Sequence, residues 1–111
     1  MKLKAPETVF SSAGFCPGCG HGIGTNLVAK VMDGLGIQNG SISVSSVGCG
    51  GMNPMFFDTD TSIPMHGRAP ATATGIKRIH PDKVVCTYQG DGDLASIGTA
   101  EIVHAAHRGE K

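Results

Sequence analysis

An apolar run, Val84-Val-Cys-Thr-Tyr88, passes directly into Gln-Gly-Asp-Gly-Asp-Leu-Ala-Ser-Ile97. This is a strand that turns, through two glycines, into a helix. Glycines let the backbone turn tightly and bring its N–H groups close to a ligand, a geometry that suits phosphate. Yet Asp91 and Asp93 stand in the same loop, and carboxylates repel phosphate. A divalent cation between them removes the conflict, because Mg²⁺ is often held by one or two carboxylates plus the oxygens of a diphosphate. The loop therefore reads as a Mg²⁺–diphosphate site. Two other readings exist. Gly90-Asp-Gly92-Asp-Leu-Ala95 also fits the dinucleotide fingerprint G-x-G-x-x-G/A, but there a bare pyrophosphate would face both aspartates. The plainest reading is a strand–helix turn with Asp93 as the helix N-cap.

The rest of the chain supports an α/β layout with a parallel sheet. From His21 to Leu35, Ile23, Leu27, Val28, Val31, Met32 and Leu35 recur at helical spacing, and Gly34 and Gly36 end the run. Ile42 and Val44, and by extension Val47, alternate with serines as a strand with one buried face. Gly48-Cys-Gly-Gly51 follows as a loop. Residues 52–66 show no period and read as a loop over the site, and residues 1–15 as an irregular lead-in. A helix is expected from about Ala69 to Ile79, starting near Pro70 and stopping before Pro81. After the strand at 84–88, a last helix should run from about Leu94 to His107. Strands joined through the 69–79 helix form a βαβ unit, and ligands in such sheets sit beyond the strands' carboxyl ends. Both glycine loops lie there.

A chain of 111 residues suits one domain. Nine Lys+Arg balance nine Asp+Glu, so no basic field attracts nucleic acid or a membrane surface. No apolar stretch approaches the ~18 residues of a membrane span, and the N-terminus lacks a signal-peptide core, so a cytoplasmic location is expected. Seventeen glycines are roughly twice the usual share. The chain stops just after a helix that should lead into another strand, which suggests a piece of a larger domain or a truncated reading frame.

Cys16-Pro-Gly-Cys19 opens the first helix, and Cys49 lies in the second glycine loop. A thioredoxin-like dithiol, a zinc site of Cys16, Cys19, His21 and Cys49, and an iron–sulfur cluster short of its fourth thiolate all compete. Cys86, alternating with apolar strand neighbours, reads as buried and inert. His66-Gly-Arg68 precedes the 69–79 helix. There Arg68 could grip a phosphate or carboxylate, and His66 could donate a hydrogen bond near a reacting carbonyl.

Taken in order, Phe15-Cys-Pro-Gly-Cys-Gly-His-Gly22, Val47-Gly-Cys-Gly-Gly51, His66-Gly-Arg-Ala-Pro-Ala71 and Tyr88-Gln-Gly-Asp-Gly-Asp-Leu-Ala-Ser-Ile-Gly98 resemble the thiamine-diphosphate-binding β subunit of 2-oxoacid:ferredoxin oxidoreductases. The 2-ketoisovalerate-type branch is the nearest in character. The resemblance implies an incomplete parallel-sheet module, with residues 1–111 as the N-terminal part of a single thiamine-diphosphate-binding domain. It implies thiamine diphosphate, Mg²⁺ and a 4Fe–4S cluster. It maps Cys16, Cys19 and Cys49 to the cluster, Asp91 to Mg²⁺, and Gly48, Gly50, Gly90, Gly92, Asp93 and Leu94 to the cofactor. His66 and Arg68 match the family's HGR segment near the cofactor. The implied reaction is oxidative decarboxylation of a 2-oxo acid, with electrons passing to ferredoxin and the acyl group to coenzyme A. The implied partners are an α subunit and γ/δ-type subunits. The fourth cluster cysteine and the asparagine-bearing strand that completes the Mg²⁺ shell fall outside these residues, so the chain alone is expected to bind cofactor poorly.

Overall fold

The computed structural model describes residues 6–9 and 14–111. Helix α1 spans Gly20–Leu35, as its apolar spacing predicts, with Cys19 at the N-cap. It ends where Gly36 takes a left-handed conformation (φ 64°) and returns its N–H to the Asp33 carbonyl, a termination that favours glycine because it has no Cβ. Thr25, Ala29 and Met32 form its buried face, whereas Ile23, Leu27, Val31 and Leu35 make an exposed ridge. The helical period is right, but more than half of the apolar stripe faces outward.

Strand β1 is Ser41–Val44, β2 is Asp60–Ser62 and β3 is Val84–Thr87. They form one parallel sheet in the order β2-β1-β3, with Ile42 opposite both Asp60 and Val85. The parallel βαβ arrangement expected from the sequence is present. Residues 52–66, expected as a loop, hold two ordered pieces: the end of a 3₁₀ turn over Cys49–Met55, and strand β2. Asp-Thr-Ser lacks the apolar alternation that marks a half-buried strand. It becomes a strand through its hydrogen-bonding partner β1, whose two flanks would otherwise not both be paired.

Helix α2 (Ala69–Ile79) matches its expected bounds. It packs on β3 and on helix α3 (Thr99–His107). Between β3 and α3, Gly92–Ile97 form a π-helical turn that breaks at Gly98, so the helix expected from Leu94 consists of two segments. Among the described residues the buried apolar core is Ala29, Met32, Val44, Phe56, Phe57, Ala69 and Ala105. Of the expected irregular lead-in, residues 6–9 and 14–15 are described. Residues 7–8 are held by the Asp33 carboxylate, which accepts from the Glu7 and Thr8 N–H groups and the Thr8 hydroxyl. Residues 1–5 and 10–13 lie outside the described residues.

Candidate functional site at the carboxyl ends of the sheet

All three strands run the same way, so the segments after them emerge at one end of the sheet. Asp93 joins those segments. Its side chain is only 1% exposed. Oδ1 accepts from the His66 Nδ1 at 2.5 Å and the Gly67 N–H at 2.8 Å, both after β2, and from the Val47 N–H after β1 at 3.4 Å. Oδ2 accepts from the Gln89 Nε2, after β3, at 2.5 Å. Burial pushes the Asp93 carboxyl up, but the hydrogen bonds from Gln89, Gly67, His66 and Val47 outweigh it and hold the pKa below the usual carboxylate value. Asp93 is not an N-cap: neither the π turn nor α3 has a side-chain cap.

Asp91 behaves differently. It is exposed at the start of the helical turn, and its carboxylate makes no hydrogen bond or ion pair with the described residues. A Cβ added at Gly90 or Gly92 would meet nothing within 4 Å, so this backbone faces open space. Leu94 is half-buried, and its N–H bonds to the Gly90 carbonyl at 2.9 Å. Gly48 has φ 107°, which a side chain would strain. Gly50 is needed for another reason: a Cβ there would lie 2.7 Å from the Ser46 Oγ and 3.4 Å from the Tyr88 ring.

Arg68 stands at the N-cap of α2 and pairs with Glu101 of α3. Its guanidinium thus ties two helices together while remaining half exposed. Gly67 (φ 79°) and Gly98 sit face to face, so close that a Cβ on either would strike the other's backbone. This contact locks the His66–Arg68 segment onto the helix break at Gly98.

The cysteine loops meet the site through Tyr88. The Tyr88 hydroxyl bonds to the His21 Nδ1 at 2.9 Å, and the His21 ring stacks on Phe15, centroids 5.3 Å apart. Gly24 lets Tyr88 approach α1, since a Cβ there would be 2.8 Å from its hydroxyl. Cys16 and Cys49 are exposed, Cys19 is half-buried, and all are free thiols. Cys16–Cys19 is a tight turn, with the Cys19 N–H on the Cys16 carbonyl at 3.0 Å. Among the described residues, no three His, Cys, Asp or Glu side chains converge to hold a metal ion. The zinc tetrad Cys16–Cys19–His21–Cys49 is therefore not assembled, and its His21 is turned to Tyr88. The sequence motifs assign no role to Tyr88, Gln89 or Gly67, although all three lie inside or beside them.

A thiamine diphosphate with Mg²⁺ can be tested against this geometry. A free carboxylate at the mouth of an open glycine loop, at the end of a parallel sheet, fits a cation and a diphosphate. The three thiols as placed do not form a cluster site by themselves.

The fold is a parallel α/β module with glycine loops at the carboxyl ends of its strands. A family model described as "Thiamine pyrophosphate enzyme, C-terminal TPP binding domain" matches residues 46–111, and the chain belongs to that family. It is 53% identical over 97 residues to the ketoisovalerate oxidoreductase subunit VorA of Methanothermobacter thermautotrophicus, covering 87% of this chain and 20% of that protein. It is 43% identical over 95 residues to the 2-oxoglutarate synthase subunit KorB of Methanocaldococcus jannaschii, covering 85% of this chain and 35% of that one. Its structure superposes with TM-score 0.83 and 36% identity on a 2-oxoglutarate:ferredoxin oxidoreductase from Magnetococcus marinus with 2-oxoglutarate, coenzyme A and succinyl-CoA bound. That match covers 94% of this chain and 37% of the other. The chain thus spans a fifth to about a third of the length of these relatives, and the motif-based resemblance is borne out. No described helix is long and apolar enough to cross a membrane.

Proposed function

We propose that this chain contributes the diphosphate- and Mg²⁺-binding part of a cytoplasmic 2-oxoacid:ferredoxin oxidoreductase. The enzyme decarboxylates a 2-oxo acid oxidatively, passes electrons to ferredoxin and transfers the acyl group to coenzyme A. It does so with α and γ/δ-type subunits. A branched-chain 2-oxo acid is the favoured substrate class, supported by the higher identity to ketoisovalerate than to 2-oxoglutarate relatives. Asp91 is the Mg²⁺ ligand. The backbone at Gly48, Gly50, Gly90, Gly92 and Leu94 lines the diphosphate. When bound, thiamine diphosphate supplies the electron sink for loss of CO₂, and the protein supplies orientation and electrostatics.

Cys16, Cys19 and Cys49 supply three thiolates to a 4Fe–4S cluster, with the fourth from outside this chain. Their free state and the Cys16–Cys19 turn support this reading, which requires the two cysteine loops to close together in the assembled enzyme.

The observation that carries the proposal is the Asp91 carboxylate, without a partner among the described residues, at the open Gly90–Gly92 backbone. Calorimetric titration of the cofactor-depleted, fully assembled enzyme with thiamine diphosphate and Mg²⁺ tests it. Asp91→Ala should weaken binding by at least about tenfold, the scale seen when a metal's supporting groups are removed. Unchanged affinity would refute the ligand assignment, and a wild-type enzyme that binds no thiamine diphosphate would refute the proposal. Purified enzyme containing zinc and no acid-labile sulfide would refute the cluster.

A further inference from the structure

We infer that Asp93 is a positioning residue that sets the His66 imidazole, with its Nε2 presented to the reacting end of the cofactor site, and that Asp93 is not itself a cofactor ligand. This deepens the thiamine-diphosphate reading and rests on it. Both oxygens of Asp93 point into the protein. Oδ1 takes the His66 ring and the Gly67 N–H, with the Val47 N–H at longer range, and Oδ2 takes Gln89. With its side chain 1% exposed, no face of the carboxylate remains for a cation or a diphosphate.

Oδ1 already accepts from the Gly67 and Val47 N–H groups and Oδ2 from the Gln89 amide, so both oxygens act as acceptors and the His66 Nδ1 beside them is the donor. That fixes the tautomer and leaves Nε2 as the free nitrogen. Nε2 has no partner among the described residues, and the His66 side chain is 40% exposed. The ring thus has one nitrogen fixed by a buried anion and the other available to accept or donate a proton. It lies in the segment after β2, bonded to the same helical turn that carries Asp91. A group placed this way can accept a hydrogen bond or a proton at Nε2 from a bound substrate or cofactor.

The chemistry of the pocket supplies a clean perturbation. Asp93→Asn keeps the shape and loses the charge. The new amide N–H₂ would face Gln89, whose Oε1 is buried without a partner and can accept once the Gln89 amide rotates. The substitution is therefore tolerable for the fold, with Oδ1 still accepting from the His66 Nδ1, while the negative charge beside the ring is gone.

The test uses the assembled enzyme with Asp93→Asn, His66→Gln and the double variant, read by kcat, KM and calorimetric thiamine diphosphate affinity in the presence of Mg²⁺. Each single variant should lower kcat by a similar factor, about 10²–10⁴ for a positioned proton-handling group. The double variant should fall no further than the worse single one, because the two residues act as a unit. Cofactor affinity should stay within about threefold of wild type, in contrast to Asp91→Ala. The inference is overturned if Asp93→Asn weakens cofactor binding while kcat at saturating cofactor is retained, or if the two losses multiply. If Asp93→Asn fails to assemble, His66→Gln decides alone: retained kcat overturns the inference, and lost kcat with unchanged affinity supports it. Wild-type enzyme without thiamine diphosphate affinity would refute the functional reading and this inference with it. Bound cofactor with an indifferent His66 would refute this inference only.

Discussion

Gly98→Ala should damage both the stability of this module and the geometry of its site. Gly98 has φ −92°, which any residue can adopt, so backbone conformation does not demand glycine there. Space does. A Cβ on Gly98 would lie 2.6 Å from the Asp93 carbonyl oxygen, 2.7 Å from the Gly67 carbonyl oxygen and 3.1 Å from the Gly67 Cα. Non-bonded heavy atoms settle at roughly 3.5 Å or more, so the new methyl must displace backbone on two sides at once. Neither obstacle is a flexible side chain. One belongs to the π turn and the other to the segment that holds His66. Forcing a methylene into well-packed structure typically costs about 1–3 kcal/mol, and two rigid neighbours place this case at the upper end. Gly75→Ala is the control. Gly75 lies within α2 and a Cβ there meets nothing within 4 Å, so the substitution should stabilise by roughly 0.5–1 kcal/mol through helix propensity alone.

Thermal unfolding of the full subunit separates the two. In a domain of about 150–250 residues each kcal/mol shifts Tm by roughly 2–4 °C, and by less in this larger subunit, so Gly98→Ala should lower Tm by several degrees while Gly75→Ala raises it slightly. Gly98→Ala with a Tm equal to or above wild type would refute the packing argument, because it would mean that the Gly67–Gly98 contact yields without cost.

Three other outcomes follow from the same geometry. Tyr88→Phe removes the bond to His21 and should lower stability by about 1 kcal/mol, read as a shift in the urea midpoint with unchanged slope; an unmoved midpoint would show that the bond contributes nothing. Burial pushes the Cys86 thiol up, only partly offset by Ser43, so in cluster-free protein at neutral pH iodoacetamide should label exposed Cys16 and Cys49 well before Cys86; peptide mass spectrometry showing Cys86 first would contradict this. Burial raises the Asp93 pKa but its hydrogen bonds outweigh that and hold it below the ordinary aspartate value of about 3.9, so the folded state binds fewer protons, and the stabilisation is complete above about pH 4 and lost as pH falls through the folded value. Urea midpoints measured downward through that window should drop less steeply in Asp93→Asn than in wild type.

Much of the scaffold is legible in the sequence because local chemistry brackets it. Pro70 and Pro81 bound α2, Gly36 stops α1 with the φ that only glycine takes easily, and Val84–Thr87 is a continuous β-forming run. Strand β2 is not legible, because its Asp-Thr-Ser residues are drawn into the sheet by β1 and not by their own preference. The inward and outward sides of α1 are not legible either. Its apolar residues wrap far enough round the helix that only tertiary packing decides that Met32 is buried and Leu27 exposed. At the site, the motif residues are visible but their partners are not. That Arg68 meets Glu101, or that Tyr88 meets His21 across 67 positions, is a property of the folded chain.

The two aspartates show how tertiary direction resolves the conflict that the sequence raises. Residues two apart in a helical turn point to nearly opposite sides, so Asp91 and Asp93 cannot both face one ligand. The turn begins at Asp91, and the structure turns Asp91 out and Asp93 in. In the proposed reading, only one carboxylate then stands near a diphosphate, where a cation would neutralise it. The other is neutralised from behind by donors from all three post-strand segments, and that is what binds those segments into a single site. Shifting either aspartate by one position would break the division. Moving Asp93 to position 92 would turn its carboxylate about 100° round the turn, away from the His66 and Gly67 donors, and leave them without an acceptor. The Gly-Asp-Gly-Asp spacing therefore lets one aspartate bind the scaffold together while leaving the other free for the proposed ligand, each by the side of the turn on which it falls.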